Sequence, residues 1–161
     1  MTANSDIEIV PYQKRYQPHF IALNKAWLEE YFYVEDHDMV ILNSCEEHII
    51  QKGGYIYFAI QNEEVVGCYA LLRVSEKVFE LGKMAVDKNF RGQHIGHLLM
   101  EHCMDLARSE SWEKIILYSS VKLKNALHIY QKFGFREIPL EKDAPYQRSS
   151  IKMEKIISNI K

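Results

Sequence analysis

Cysteine is scarce in this chain and never paired. Cys45, Cys68 and Cys103 are odd in number, widely spaced, and form no CxxC. That pattern excludes a disulfide scaffold and a zinc cage, and it reads as the reduced core thiols of a cytoplasmic protein. Long apolar runs are missing as well. None approaches the ~18 residues that would suggest a membrane span, so no membrane partner is expected. The polar start, Met1 to Ser5, lacks the apolar stretch of a secretory leader. Only four prolines and seven glycines punctuate the chain. They gather into no linker and nothing repeats, so residues 1–161 are expected to fold as one domain. No basic run is interleaved with aromatics, and nucleic acid is therefore not an expected partner.

What is present is ordinary in amount and uneven in placement. Apolar residues make up 47% and charged residues 26%, with a formal net charge of −2. The charge divides, however. Residues 1–81 hold 6 Lys/Arg against 13 Asp/Glu, a balance of −7; residues 82–161 hold 14 against 9, a balance of +5. A basic half suits an anionic ligand and an acidic half a cationic one.

The periodicities give an order of elements. Ile7 to Val10 alternates as a short strand closed by Pro11. Phe20, Leu23, Trp27 and Tyr31 recur at helical spacing within 13–31, and a second helical segment is predicted over 36–51, stopped by Gly53-Gly54. Strand-like runs at 55–60 and 65–74 are joined by Asn62-Glu63-Glu64 as a hairpin, and 78–86 is a third run. Ile95, Leu98, Leu99, Cys103, Leu106 and Ala107 share one face of a helix. A strand at 114–119 follows, then a helix at 125–133 stopped by Gly134. Runs at 135–138 and 149–153 supply the last strands. The order β-α-α-β-β-β-α-β-α-β-β indicates an α/β (α+β) protein with a mixed, mostly antiparallel sheet flanked by helices.

The most informative stretch is Val86-Asp87-Lys88-Asn89-Phe90-Arg91-Gly92-Gln93-His94-Ile95-Gly96. A strand runs through a basic, glycine-bearing turn into a helix N-terminus. Such a turn points backbone N–H groups at an anion, and the helix dipole favours negative charge there. The two common nucleotide signatures are absent. No Lys-Ser/Thr pair follows the glycines, as a P-loop needs, and the spacing is not GxGxxG. His94-x-x-His97 has no third partner in sight, so no metal is expected.

Two segments resemble the GCN5-related N-acetyltransferases, the GNAT superfamily. The first is Arg91-Gly92-Gln93-His94-Ile95-Gly96 after Met84-Ala85-Val86, similar to the family's Arg/Gln-x-x-Gly-x-Gly/Ala loop. His94 stands where the inner glycine is usual. If the site needs a positive φ, His94 carries strain. The second is Asn125-Ala126-Leu127-His128-Ile129-Tyr130-Gln131-Lys132-Phe133-Gly134-Phe135, whose Tyr-x-Lys-x-Gly-Phe end agrees fully. The resemblance covers roughly residues 55–155. It implies a single GNAT-fold domain that binds acetyl-CoA through Met84, Ala85, Val86, Arg91, Gly92, Gln93, His94, Ile95, Gly96, Asn125, Tyr130 and Lys132. It also implies acetyl transfer to an amine by direct attack, with the 81–86 strand splayed from its neighbour to meet the pantetheine arm.

The chemistry of that reaction names its own requirements. An amine of pKa near ~10 must lose a proton before attack, and the leaving thiolate benefits from gaining one. By resemblance Tyr130 is the general acid. Glu80, on the strand before the turn and on one face with Gly82 and Met84, is a candidate base; Glu35, in the loop between the first helices, is the other. Tyr146 and Arg148 precede the last strand and are placed to border the acceptor. The acidic, aromatic stretch from Glu29 to Asp38 points to a small cationic amine such as a polyamine. A protein N-terminal or lysine amine is the alternative acceptor, and a non-catalytic acyl-CoA-binding or sensing module the alternative class. Assembly as a homodimer is left open.

Overall fold

The computed structural model describes residues 6–157; the polar start at 1–5 and residues 158–161 lie outside the described residues. Seven strands form one sheet: β1 (Glu8–Pro11), β2 (Tyr55–Gln61), β3 (Glu64–Ser75), β4 (Val78–Val86), β5 (Lys114–Ser119), β6 (Arg136–Ile138) and β7 (Ile151–Ile156). Their spatial order is β1-β2-β3-β4-β5-β7-β6. Every neighbouring pair is antiparallel except β4 and β5. The helices are α1 (Gln17–Tyr31), α2 (Asp36–Asn43), α3 (Ile95–Ser109) and α4 (Lys124–Lys132). The element order is the one that the periodicities predict.

Two cores cover the two faces of the sheet. Ile95, Leu99, Met100, Cys103, Met104 and Ala107 of α3 pack on one face with Tyr69, Leu71, Phe79, Ile115 and Leu117. Phe20 of α1, Ile41 and Leu42 of α2, and Cys45 and Ile49 pack on the other with Ile56, Phe58 and Cys68. The close approach of α3 depends on Gly67: a side chain there would begin 3.2 Å from Ile95 Cγ2, tighter than ordinary carbon contact. The three cysteines are buried and unpaired. The β2–β3 hairpin turns through Asn62 and Glu63, both at positive φ (52° and 67°). That is the mirror-image two-residue turn which matches strand twist. Among the described residues, no helix is long and apolar enough to cross a membrane.

The predicted helix at 36–51 is not continuous. α2 stops at Asn43, and Ser44 leaves the helical region (φ −122°, ψ 42°). The chain then takes one wider turn over Glu46–Ile50, in which Gln51 N–H bonds Glu46 C=O at 2.8 Å. The break keeps Cys45 and Ile49 in the core beside Phe20 and Ile56. A wide turn still places apolar residues on one side, so the pattern of side chains does not reveal it.

Two irregularities of β4 make the site. Its parallel pairing with β5 runs only from Val78↔Lys114 to Leu81↔Leu117. Beyond Leu81 the two strands part, leaving the β5-facing backbone of the second half of β4 without a ladder partner. On the other edge the register with β3 slips between Cys68↔Ala85 and Ala70↔Gly82. Lys83 sits in this bulge at φ +54°, a left-handed conformation that a non-glycine residue adopts only under constraint.

Candidate active site

The gap between β4 and β5 opens into a cavity of about 90 Å³, large enough to admit several waters. Its wall takes Glu80, Gly82, Lys83 and Met84 from β4, Tyr118 and Ser119 from β5, and Tyr130 from α4. Trp27 and Phe32, at the end of α1, and Tyr146 and Arg148, before β7, close it. Glu80 and Gly82 share a face as strand alternation requires, and the bulge adds Lys83 to the lining.

Among the described residues, Glu80 is the only Asp or Glu on this wall. Burial pushes its carboxyl up to about 7, against the opposing pull of the Lys83 and Lys152 charges. A carboxyl poised there exchanges a proton readily near neutral pH. Tyr130 is partly open to the cavity, and burial raises its phenol to about 12, so it stays protonated.

The motif around Tyr130 has a structural logic. α4 ends in a left-handed Gly134 (φ +94°). Phe135 N–H returns to the Tyr130 carbonyl at 3.0 Å, and Gly134 N–H to that of Gln131 at 3.0 Å. This paired closure is the Schellman helix stop. A side chain on Gly134 would begin 2.6 Å from Lys155 Nζ. Glycine therefore satisfies both the conformation and the space, and the stop fixes Tyr130 against Phe135, ring centroids 6.0 Å apart.

The turn after β4 is shaped for an anion. Asp87 Oδ1 accepts from Asn89 N–H at 2.9 Å and shapes the short Lys88–Phe90 turn. Gly92 (φ +85°) and His94 (φ +62°) both lie in the left-handed region. The strain foreseen at His94 is therefore real, since a side chain disfavours that region by about 1–2 kcal/mol. Apart from the adjoining residues and the local helix backbone, no heavy atom of the described residues stands within 4 Å of where a side chain at Gly92 or Gly96 would begin, so the cradle is open. The first helical bond of α3 is Leu98 N–H to His94 C=O at 3.0 Å. Ile95, Gly96 and His97 therefore offer N–H groups without intrahelical acceptors. Open backbone, unmet donors and a helix N-terminus fit a pyrophosphate.

Other candidates stand apart from the cavity. Arg91 forms a bidentate pair with Glu30 of α1, Nη2–Oε1 2.8 Å and Nη1–Oε2 2.9 Å; both side chains are more than a third exposed. Glu35 caps α2: its carboxylate accepts from the Asp38 backbone, while Asp38 accepts from Glu35 N–H at 2.9 Å. The Glu35 carboxylate also takes Gln147 N–H at 3.1 Å and Arg148 Nη1 at 3.1 Å. It is tied into the fold and is absent from the cavity wall. Asn125 and Lys132 are exposed on α4, also away from the wall. Ala85 is buried and pairs with Cys68, and Val86 pairs with Gly67 at the end of the strand.

The sequence patterns did not reveal the charged knot behind the cavity. Asp38, fully buried, accepts from Lys83 Nζ at 2.8 Å and from Arg148 Nη1 and Nη2 at 2.8 Å each. Burial favours its neutral form, but the Arg148 hydrogen bonds and the Lys83 charge hold its pKa at about 2. Burial drives the Lys83 ammonium below its usual range, and the Asp38 charge opposes that shift. Lys83 Nζ also donates to Tyr146 Oη at 3.1 Å. Three of the five acids of the 29–38 stretch thus face cations of this chain: Glu30 meets Arg91, while Glu35 and Asp38 meet Arg148 and Lys83.

Comparison with known proteins agrees with this geometry. Residues 19–135 match the Acetyltransferase (GNAT) family. Human N-acetyltransferase 8B is 28% identical over 97 residues, a stretch covering 57% of this chain and 43% of that relative. The chain thus spans less than half the length of this curated relative. A GNAT-family acetyltransferase from Staphylococcus aureus Mu50 superposes with a TM-score of 0.84 at 24% identity, covering 94% of this chain and 99% of that one. An acetyltransferase from Streptococcus agalactiae 2603 gives 0.81 at 26% identity, covering 94% and 98%. With the family's turn, its splayed strands and most of its length in place, this chain belongs to the GNAT acetyltransferase family.

Proposed function

We propose that the chain moves an acetyl group from acetyl-CoA to a primary amine by direct attack, with Glu80 as general base and Tyr130 as general acid. The observation that carries this reading is that both side chains line one small cavity where β4 parts from β5. The N–H groups of Gly92 to Gly96 and the positive end of α3 would hold the pyrophosphate, with Arg91 beside them. The free edge of β4 at Gly82–Met84 would receive the pantetheine arm and offer donors to the carbonyl oxygen.

Each proton then has a place. Glu80, ionised, takes one from the incoming ammonium, and the amine nitrogen bonds to the acetyl carbonyl carbon. N–H donors of β4 meet the negative charge that gathers on oxygen. The carbon–sulfur bond breaks as Tyr130 gives its proton to the departing sulfur. The phenolate recovers its proton from the positively charged nitrogen of the amide being formed, and Glu80 releases the proton it took to solvent. A phenol raised to about 12 stays protonated until the sulfur departs; its transfer to a thiolate of ordinary pKa about 8.5 is uphill and is completed by the proton that the new amide nitrogen releases. No cysteine lines the cavity, so no acyl-cysteine intermediate is invoked.

The test follows free thiol release from acetyl-CoA across a panel of amines, with product masses recorded. Acetylated amine at the expected mass supports the reading; CoA binding without any acetylated amine overturns it. Tyr130→Phe is expected to lower kcat about 10²-fold while leaving CoA affinity within about twofold. Equal loss of both would remove Tyr130 from the role of acid.

A further inference from the structure

We propose that the acceptor carries a carboxylate beside its amine, received by Lys83 and Arg148. The substrate class is then the free α-amino acids. This inference rests on the acetyl-transfer reading and specifies its second substrate.

Among the described residues, the cavity wall carries three side chains of formal charge, of opposite kinds: Glu80, Lys83 and Arg148. The counter-ions of the two cations, Asp38 and Glu35, do not line it. An incoming ligand therefore meets the cations and not the carboxylates that balance them. Lys83 and Arg148 side chains are only 5% and 14% exposed, so their charges act with little screening by water.

The hydrogen-bond inventory sharpens this. Lys83 gives one N–H to Asp38 and one to Tyr146, and an ammonium has three. Arg148 gives both Nη1 hydrogens, one to Glu35 and one to Asp38, and one of its Nη2 hydrogens to Asp38. Its Nε–H and a second Nη2–H remain. Tyr146 Oη accepts from Lys83, and its own O–H proton is left to donate. What this corner has to offer is donors. A carboxylate, which only accepts, complements it with charge-assisted bonds. A second ammonium, as in a polyamine, would meet donors and like charge instead.

Backbone and size agree. Lys83 reaches the wall because it is the extra residue of the bulge at φ +54°, a strained conformation of the kind that clusters at functional sites. A volume of about 90 Å³ suits an amino-acid head of one amine and one carboxylate. Glu80, on the same wall, is left to take the amine proton.

The experiment uses the full chain, acetyl-CoA, and matched trios of acceptors: an amino acid, its carboxamide, and the corresponding decarboxylated amine, with spermidine alongside. The acid is expected to exceed both partners in kcat/KM by about tenfold or more, mainly through KM, as the loss of a charge-assisted contact predicts. Lys83→Met should erase that preference and Lys83→Arg should restore part of it. The wild-type ratio needs no variant, so it decides the matter even if Lys83→Met does not fold. Amides, bare amines or spermidine acetylated as well as the acids would overturn this inference alone. A Lys83→Met loss equal for all acceptors would do the same. Absence of transfer to every amine, with CoA still bound, overturns the acetyl-transfer reading and this inference together.

Discussion

The Glu80 carboxylate leans back over Gly82: Oε2 lies 4.0 Å from the point at which a Gly82 side chain would begin. That relationship places the candidate base above open backbone, at the point where β4 leaves β5. It also makes Gly82 the floor of the cavity. A methyl group there meets Oε2 at ordinary van der Waals distance and projects into the space proposed for the acceptor. Gly82→Ala is expected to fold with a stability within about 1 kcal/mol of wild type, and to raise the acceptor KM several-fold. Thermal melting with steady-state kinetics checks both. An unchanged KM would mean that the acceptor does not pass over Gly82.

Glu80 also leaves a mark on stability. Its pKa is about 7 in the folded chain, against an ordinary value of 4.5. Between these values the folded chain holds a proton that the unfolded chain has released, so stability falls as pH rises through this window. Above pH 7 the full cost applies, at most about 3 kcal/mol. Glu80→Gln never ionises and escapes it. The variant should melt close to wild type near pH 4.5 and several degrees above it at pH 8, since 1 kcal/mol corresponds to about 2–4 °C at this size. Parallel melting curves at the two pH values would show that Glu80 is not held in a desolvated site.

The turn offers a separate test. His94 adopts φ +62° and no side-chain bond caps α3 from this position. Glycine takes that conformation freely, although it also loosens the unfolded chain. His94→Gly is expected to stabilise the fold by up to about 1 kcal/mol, read from the urea midpoint at constant slope. A loss of stability would reveal that the imidazole makes a contact that outweighs the backbone strain.

Much of this molecule was legible in its sequence, and what escaped did so for physical reasons. The Ile95–Ala107 face and the strands at 114–119 and 78–86 were plain because each buries one side of a regular element. The Arg91–Gly96 turn and the Tyr130-x-Lys-x-Gly-Phe stop were readable because their glycines hold left-handed backbone at Gly92 and Gly134. The bulge at Lys83 was hidden by the same logic: no glycine marks it, and lysine is an improbable residue at positive φ. The wide turn over Glu46–Ile50 preserved the apolar side and so looked like more helix. Asp38, Lys83 and Arg148 come together across separations of 45 and 110 residues, which no local pattern encodes. The acidity of Glu29–Asp38 does not by itself fix the charge of the acceptor, because sequence counts charges and does not show that Glu30, Glu35 and Asp38 are paired within the fold.

The central claim is that Glu80 removes the proton of the attacking amine. Its most direct test is the pH dependence of kcat/KM for acetyl transfer in wild type and Glu80→Gln, both checked for folding and CoA binding. Wild type should rise along a limb with an apparent pKa of about 7, and the variant should lose that limb together with about 10²–10⁴-fold in rate at neutral pH. A variant that keeps the same limb and a near wild-type rate would contradict the assignment.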